Sequence, residues 1–287
     1  MNHNPVKSAI RQFGLPRIII VGFFIFLVIA AGGFQMNLMQ LLSDCVRRWG
    51  MFGILTLAMV PAVQCGIGLN FGISMGIVGG LLGGLIVIEL DVARIPALVA
   101  VGPMFGMWVS VLVAILIGVV LATGIGYLYG LLLNQVKGSE MTVTTYVGFS
   151  IIAFMNMLWM LLPFQNGELK WPNAGKGLRN TISLSTSFSG VMNDTLSFKI
   201  GNFTVPTGLL LFMFFMCLLV WLFMKSKTGM AMSAAGSNPM FAKAAGINVN
   251  RMRLVGTTLS TVLAAVGIIV YAQGFGFMRS EERRVGK

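Results

Sequence analysis

The sequence predicts an all-α, polytopic membrane protein, and three observations carry that prediction. Its 287 residues are 56% hydrophobic and only 10% charged, with a mean hydropathy of +0.88, a balance foreign to soluble domains of this length. The apolar residues are gathered into runs long enough to cross about 30 Å of hydrocarbon at about 1.5 Å per residue. Thirty-six Gly and 21 Phe suit helices that pack backbone against backbone while aromatic rings face acyl chains.

Seven runs meet the length criterion: residues 18–34, 51–67, 73–90, 107–133, 144–162, 207–224 and 254–277. Residues 97–105 are also apolar, but Gly102 and Pro103 interrupt them, which reads as a re-entrant or interfacial piece. Lys7, Arg11 and Arg17 precede the first run and place the N-terminus in the cytoplasm by the positive-inside rule. That run exceeds a typical signal-peptide core, so an uncleaved span is expected. Alternate crossings then put the loop with Lys137 and Glu140 inside, residues 163–206 outside and residues 225–253 inside. The last loop carries Lys225, Lys227, Lys243, Arg251 and Arg253 and no acid. Arg47 and Arg48 fall outside, offset by Asp44, and QMNLMQLLSDCVRRWG at 35–50 reads as an amphipathic helix lying in the interface.

The formal net charge of +12 is spread over loops between apolar runs rather than gathered into a solvated patch. It therefore reports topology and anionic lipid, not nucleic acid. Cys45, Cys65 and Cys217 are odd in number and widely spaced, giving neither a disulfide framework nor a metal spacing. The sole histidine is His3, so catalysis or metal binding through histidine within the membrane is excluded, and no enzyme activity is expected. No phosphate-binding loop of the G-x-x-x-x-G-K-[ST] type is present.

Two glycine patterns stand out. Gly72, Gly76, Gly80 and Gly84 recur every four residues, drift slowly around one helical face and predict close approach of another helix. Just upstream, Gly66, Gly68 and Asn70 in CGIGLNFG predict a broken or re-entrant helix near residues 65–72. Such a break is tolerated at membrane depth where it lines protein or a water-filled path. It is either a pathway element, with Gly66, Gly68, Asn70 and Phe71 along the path, or a packing kink. The loop at 163–206 carries Leu178, Ile182, Phe188 and Phe198 among its polar residues, fitting either an ordered lid or docking surface or simple packing on helix ends.

Residues 236–253, GSNPMFAKAAGINVNRMR, hold the signals of one short helix. Ser237 or Asn238 can cap it, Pro239 suits its first position and Gly246 can end it in the left-handed conformation. Two turns are marginal alone in water, so a partner must hold them.

At these residues the chain resembles the permease subunits of bacterial ATP-binding cassette importers, in the ribose and simple-sugar branch related to branched-chain amino-acid permeases. The resemblance lies in Gly236, Asn238, Pro239, Ala242, Ala245, Gly246 and Ile247, in the preceding KSKTGMAMSAAG at 225–236, and in GIGLNFG at 66–72. Gly68 and Asn70 stand where the sugar-type motif usually has Asp and Ser. The resemblance implies that the 225–253 loop is a coupling loop docking on ATPase subunits, which bind the ATP, so the permease needs no cofactor of its own. It further implies an extracytoplasmic solute-binding protein, a second permease subunit in a homo- or heterodimer, residence in the bacterial inner membrane, and a small polar solute, with a sugar favoured. Residues 1–277 then form one permease domain, and the charged residues 278–287 read as a foreign tail following truncation or as an ordinary cytoplasmic or extracellular end. An ion-coupled secondary transporter or channel is the alternative, weakened because ionisable residues avoid the interiors of the predicted spans.

Overall fold

A computed structural model describes residues 15–34, 37–68, 72–166, 169, 181–185, 187–201 and 203–279. Its helices are α1 (Leu15–Gly33), α2 (Leu38–Leu57), α3 (Met59–Gln64), α4 (Ile73–Glu89), α5 (Pro96–Val99), α6 (Pro103–Gln135), α7 (Glu140–Leu161), α8 (Val191–Asp194), α9 (Thr207–Lys225), α10 (Lys227–Ser237), α11 (Pro239–Ala244) and α12 (Val249–Phe275). Four short strands accompany them: β1 (Thr181–Ser183), β2 (Phe198–Ile200), β3 (Phe203–Val205) and β4 (Phe277–Arg279).

The chain divides into two units, Met1–Val46 with Phe198–Val205, and Arg47–Ser197 with Pro206–Lys287. In the first unit, α1 presents Ile18 to Ile29 outward on all sides. The β2–β3 hairpin pairs Phe198 with Val205 and Ile200 with Phe203, turning through Gly201 at φ +59°. Ser43 Oγ donates to the carbonyl of Thr204 at 2.5 Å.

The second unit is built on α4, α6 and α12. Within the four-residue glycine row, Gly76 and Gly80 admit another helix as the spacing predicts: a Cβ on Gly80 would stand 2.5 Å from the Ala265 carbonyl of α12, and one on Gly76 would overlap the carbonyl of Thr261, whereas Gly84 faces the Met278 side chain of β4. The adjacent face of α4 meets α6 in the same way, with a Cβ on Gly83 only 2.6 Å from the amide of Gly118. Glycine at these crossings is therefore a condition of the packing. Helix α12 is buried over 72% of its most apolar stretch, whereas α7 is buried over 17%, so α12 is the axis and α7 part of the rim. Tyr146, Phe149 and Met157 on α7 and Leu211, Phe214 and Leu218 on α9 remain exposed, an apolar perimeter suited to lipid or further protein.

Six described helical stretches are long and apolar enough to cross a membrane: Leu38–Gln64, Ile73–Arg94, Met104–Gln135, Glu140–Leu161, Thr207–Lys225 and Val249–Phe275. The first predicted span, 18–34, corresponds to the shorter apolar helix Arg17–Gly33. Two boundaries are corrected. The stretch expected to lie as a separate interfacial helix is instead the first part of α2, continuous from Leu38 to Leu57. The apolar stretch at 97–105 is not one piece: α5 ends at Val99, the chain turns at Gly102, and Pro103 opens the 33-residue α6 as its first residue. Proline has no amide hydrogen to lose at that position.

At one end of the second unit, the Glu89 carboxylate accepts from the amides of Gln165 (2.7 Å) and Asn166 (3.3 Å), and β1 pairs antiparallel with β4. Ile182, Leu184, Phe188, Val191 and Met192 of the long loop enter the main core. This part of the loop, from Ile182 to Met192, thus packs on the core at the helix ends. Trp171, Pro172, Leu178 and Arg179 lie outside the described residues.

Candidate functional site

The opposite end gathers the two segments singled out in the sequence. Helix α10 is capped by Ser226, whose Oγ accepts from the Gly229 amide at 3.2 Å. Asn238 then serves two helices: its amide donates to the Ala234 carbonyl of α10 (3.1 Å), and its Oδ1 accepts from the Phe241 amide of α11 (3.1 Å). Pro239 opens α11. At the far end the Gly246 amide donates to Lys243 O (3.0 Å) and the Ile247 amide to Ala242 O (2.9 Å), with Gly246 at φ +79°. This paired pattern is a Schellman termination, open to glycine because its turn is left-handed. Asn248 caps α12 by accepting from the Arg251 amide at 3.1 Å.

The loop has an inner and an outer side. Ala235, Ala242 and Val249 form a small buried cluster with Ile247 and Met252 packed on it. Outward, Met240 is 78% and Phe241 68% exposed, with Lys243, Ala244, Ala245 and Gly246 exposed alongside. Large apolar side chains left uncovered on a double-capped helix make a surface suited to a partner or to lipid.

The predicted break lies directly beneath. Pro61 lacks the amide that would bond to Leu57, and there α2 gives way to α3. Helix α3 ends as α11 does, with Gly66 N to Val63 O (3.1 Å), Ile67 N to Ala62 O (3.3 Å) and Gly66 at φ +79°. Gly68 follows at φ +84°, exposed and with open space where a Cβ would point. Asn70 and Phe71 lie outside the described residues.

The structure brings Gly66 and Gly236 into backbone contact: a Cβ on Gly66 would stand 2.8 Å from Gly236 Cα, and one on Gly236 would stand 2.8 Å from Gly66 N. Around this contact Ser233 Oγ lies 2.9 Å from Gln64 Oε1. Met232 is buried in one cluster with Cys65, Ile67, Tyr129 and Leu133. Cys65 in turn rests on α12, where a Cβ on Gly256 would stand 2.6 Å from its Sγ.

Sequence reading missed two further ties at this end. Arg253, counted there as a loop cation, is a buried residue of α12 whose guanidinium donates to Glu140 Oε1 at 2.5 Å. Glu140 Oε2 also accepts from the Gly138 amide (2.9 Å), while Lys137 Nζ donates to Asn250 Oδ1 (2.6 Å). The only sequence signal was that both loops were expected on the same side of the membrane. Among the described residues no group of His, Cys, Asp and Glu could hold a metal ion.

Membrane-length apolar helices around a glycine-packed axis, with a capped and exposed two-turn helix at one end, define a multi-pass membrane protein. The chain belongs to the family described as branched-chain amino acid transport system / permease component, which it matches over residues 13–286. That family is one of transport permease components, a transport class and not an enzyme class. It is similar to the nucleoside ABC transporter permease protein NupB of Lactococcus lactis subsp. cremoris, with 26% identity over 166 residues, 58% of this chain and 43% of that one. It is also similar to the uncharacterized protein MG121 homolog of Mycoplasma pneumoniae, with 28% identity over 185 residues, 59% of this chain and 53% of that one. The chain spans about half the length of these relatives. No solved structure matches it.

Proposed function

We propose that the chain supplies part of the transmembrane path of a bacterial inner-membrane importer, and that α11 is the coupling helix on which ATPase subunits dock. On this reading α11 faces the cytoplasm, an extracytoplasmic binding protein delivers the solute to the opposite end, and a second permease subunit completes the path. The observation that carries the reading is the exposure of Met240 and Phe241 on a helix too short to persist unaided. Of the residues proposed for coupling, Asn238, Pro239 and Gly246 begin or end that helix, Gly236, Ala242 and Ile247 seat it, and Ala245 lies on its exposed side with Gly246. Gly66, Gly68, Asn70 and Phe71 are proposed to border the path.

The proposed solute is a nucleoside. The support is the similarity to a nucleoside permease, and a ribonucleoside contains the sugar ring that the resemblance to simple-sugar permeases favours. The reaction is translocation, with ATP hydrolysed by the partners and nothing hydrolysed by this chain.

Burying Met240 and Phe241 in a groove is worth about 1.5–3 kcal/mol each. Replacing both by Glu is therefore expected to lower ATPase co-purification by about 100-fold or more and to abolish uptake of labelled uridine, while the helical circular dichroism is unchanged. Undiminished co-purification would refute the docking role of α11. Uridine uptake absent from the unaltered transporter would refute the solute.

A further inference from the structure

We infer that Gly236 and Gly66 form a rigid joint through which displacement of α11 reaches the break between α3 and α4; the inference rests on α11 being the docking helix. Helix α11 cannot move independently of α10. Asn238 ties the two end to end, and Ala235 of α10 shares a buried cluster with Ala242 of α11. Helix α10 in turn touches the break at three points. Met232 is buried with Cys65 and Ile67, Ser233 hydrogen-bonds Gln64, and Gly236 lies backbone to backbone on Gly66.

The last contact matters most mechanically. A side chain between two elements can change rotamer and absorb a displacement, whereas packed backbones have no such slack. The element receiving the push is built to respond. Gly66 and Gly68 hold successive left-handed turns, and Gly68 has no neighbour within 4 Å of its would-be Cβ. The other side of the joint is braced by Cys65 against Gly256 of α12. A push arriving through Gly236 therefore meets a firm wall at α12 and an open turn at Gly68. Gly236 is a positioning residue in this scheme, turned toward the bundle and away from the exposed face of α11.

The test uses the full transporter, co-expressed with its ATPase, in a chain whose Cys45 and Cys217 are replaced by Ala and whose buried Cys65 is kept as the brace. The thiol of Gly68→Cys is labelled with a maleimide in nucleotide-free and in ATP-vanadate-trapped transporter. A change in labelling rate of about tenfold between the two states is expected, within the range of ordinary coupling energies. Adding Gly236→Ala is expected to cut that change to less than about twofold while the ATPase still co-purifies and still hydrolyses ATP. A disulfide between Gln64→Cys and Ser233→Cys, which locks the joint without spreading it, is expected to leave the response intact. A full response with Gly236→Ala, or loss of the response on forming the disulfide, would overturn the inference. Should Gly236→Ala fail to fold, the disulfide arm decides. Failure of the ATPase to co-purify with the unaltered Gly236 chain would instead remove the docking reading, and the joint with it.

Discussion

Helices α3 and α11 have the same length, six residues, and the same ending, a glycine in the left-handed region followed by isoleucine. Their surroundings differ. At the end of α3, Cys65 and Ile67 are buried, 1% and 7% exposed, and Gly66 lies against the backbone of Gly236. At the end of α11, Gly246 has nothing within 4 Å of its would-be Cβ, and the neighbouring Met240 and Phe241 point into solvent. The same Gly-Ile ending thus makes a fixed turn in one place and a presented helix in the other. The packing around the two endings is what separates the turn proposed to border the path from the helix proposed to dock.

The comparison can be broken by putting the same substitution into both turns. Alanine at either glycine meets the left-handed penalty of about 1–2 kcal/mol. At Gly66 it also forces a methyl onto the Gly236 backbone, adding about 1–3 kcal/mol for overpacking. Gly66→Ala is therefore expected to lower stability by roughly 2–5 kcal/mol and Gly246→Ala by about 1–2 kcal/mol, read from denaturation of the purified protein in detergent. Equal losses would mean that the Gly66–Gly236 contact is not tight.

A smaller effect sharpens the same contrast from the other end of α11. Asn238→Ala removes the Phe241 cap and is expected to cost about 1 kcal/mol. Because α11 stands exposed, that loss should show chiefly as fraying of α11, weakening ATPase co-purification by about fivefold with little change in the global melting temperature.

Helix α11 was legible in the sequence because its determinants are local: Asn-Pro at the start, Gly-Ile at the end, spaced alanines between. The glycine row of α4 was legible because a four-residue period alone specifies a packing face. The joint was not legible. Gln64 and Ser233 are 169 residues apart, and Gly66 and Gly236 have no side chains through which sequence could announce a contact. The start of α2 was misplaced because Asp44, Arg47 and Arg48 depress local hydropathy, although a helix runs on through charges whose long side chains can snorkel. Arg253 was read as a solvated loop cation because its partner Glu140 belongs to a different loop. Of the residues proposed to border the path, Gly66 and Gly68 lie in the predicted break and Asn70 and Phe71 lie outside the described residues.

The central claim is that α11 projects on the inner side of the membrane. Labelling of Lys243→Cys, in a chain whose three native cysteines are replaced, with a membrane-impermeant maleimide tests it most directly. The account predicts no reaction in intact cells and rapid reaction once the membrane is made permeable. Reaction in intact cells would place α11 outside, beyond the reach of any ATPase, and contradict the account.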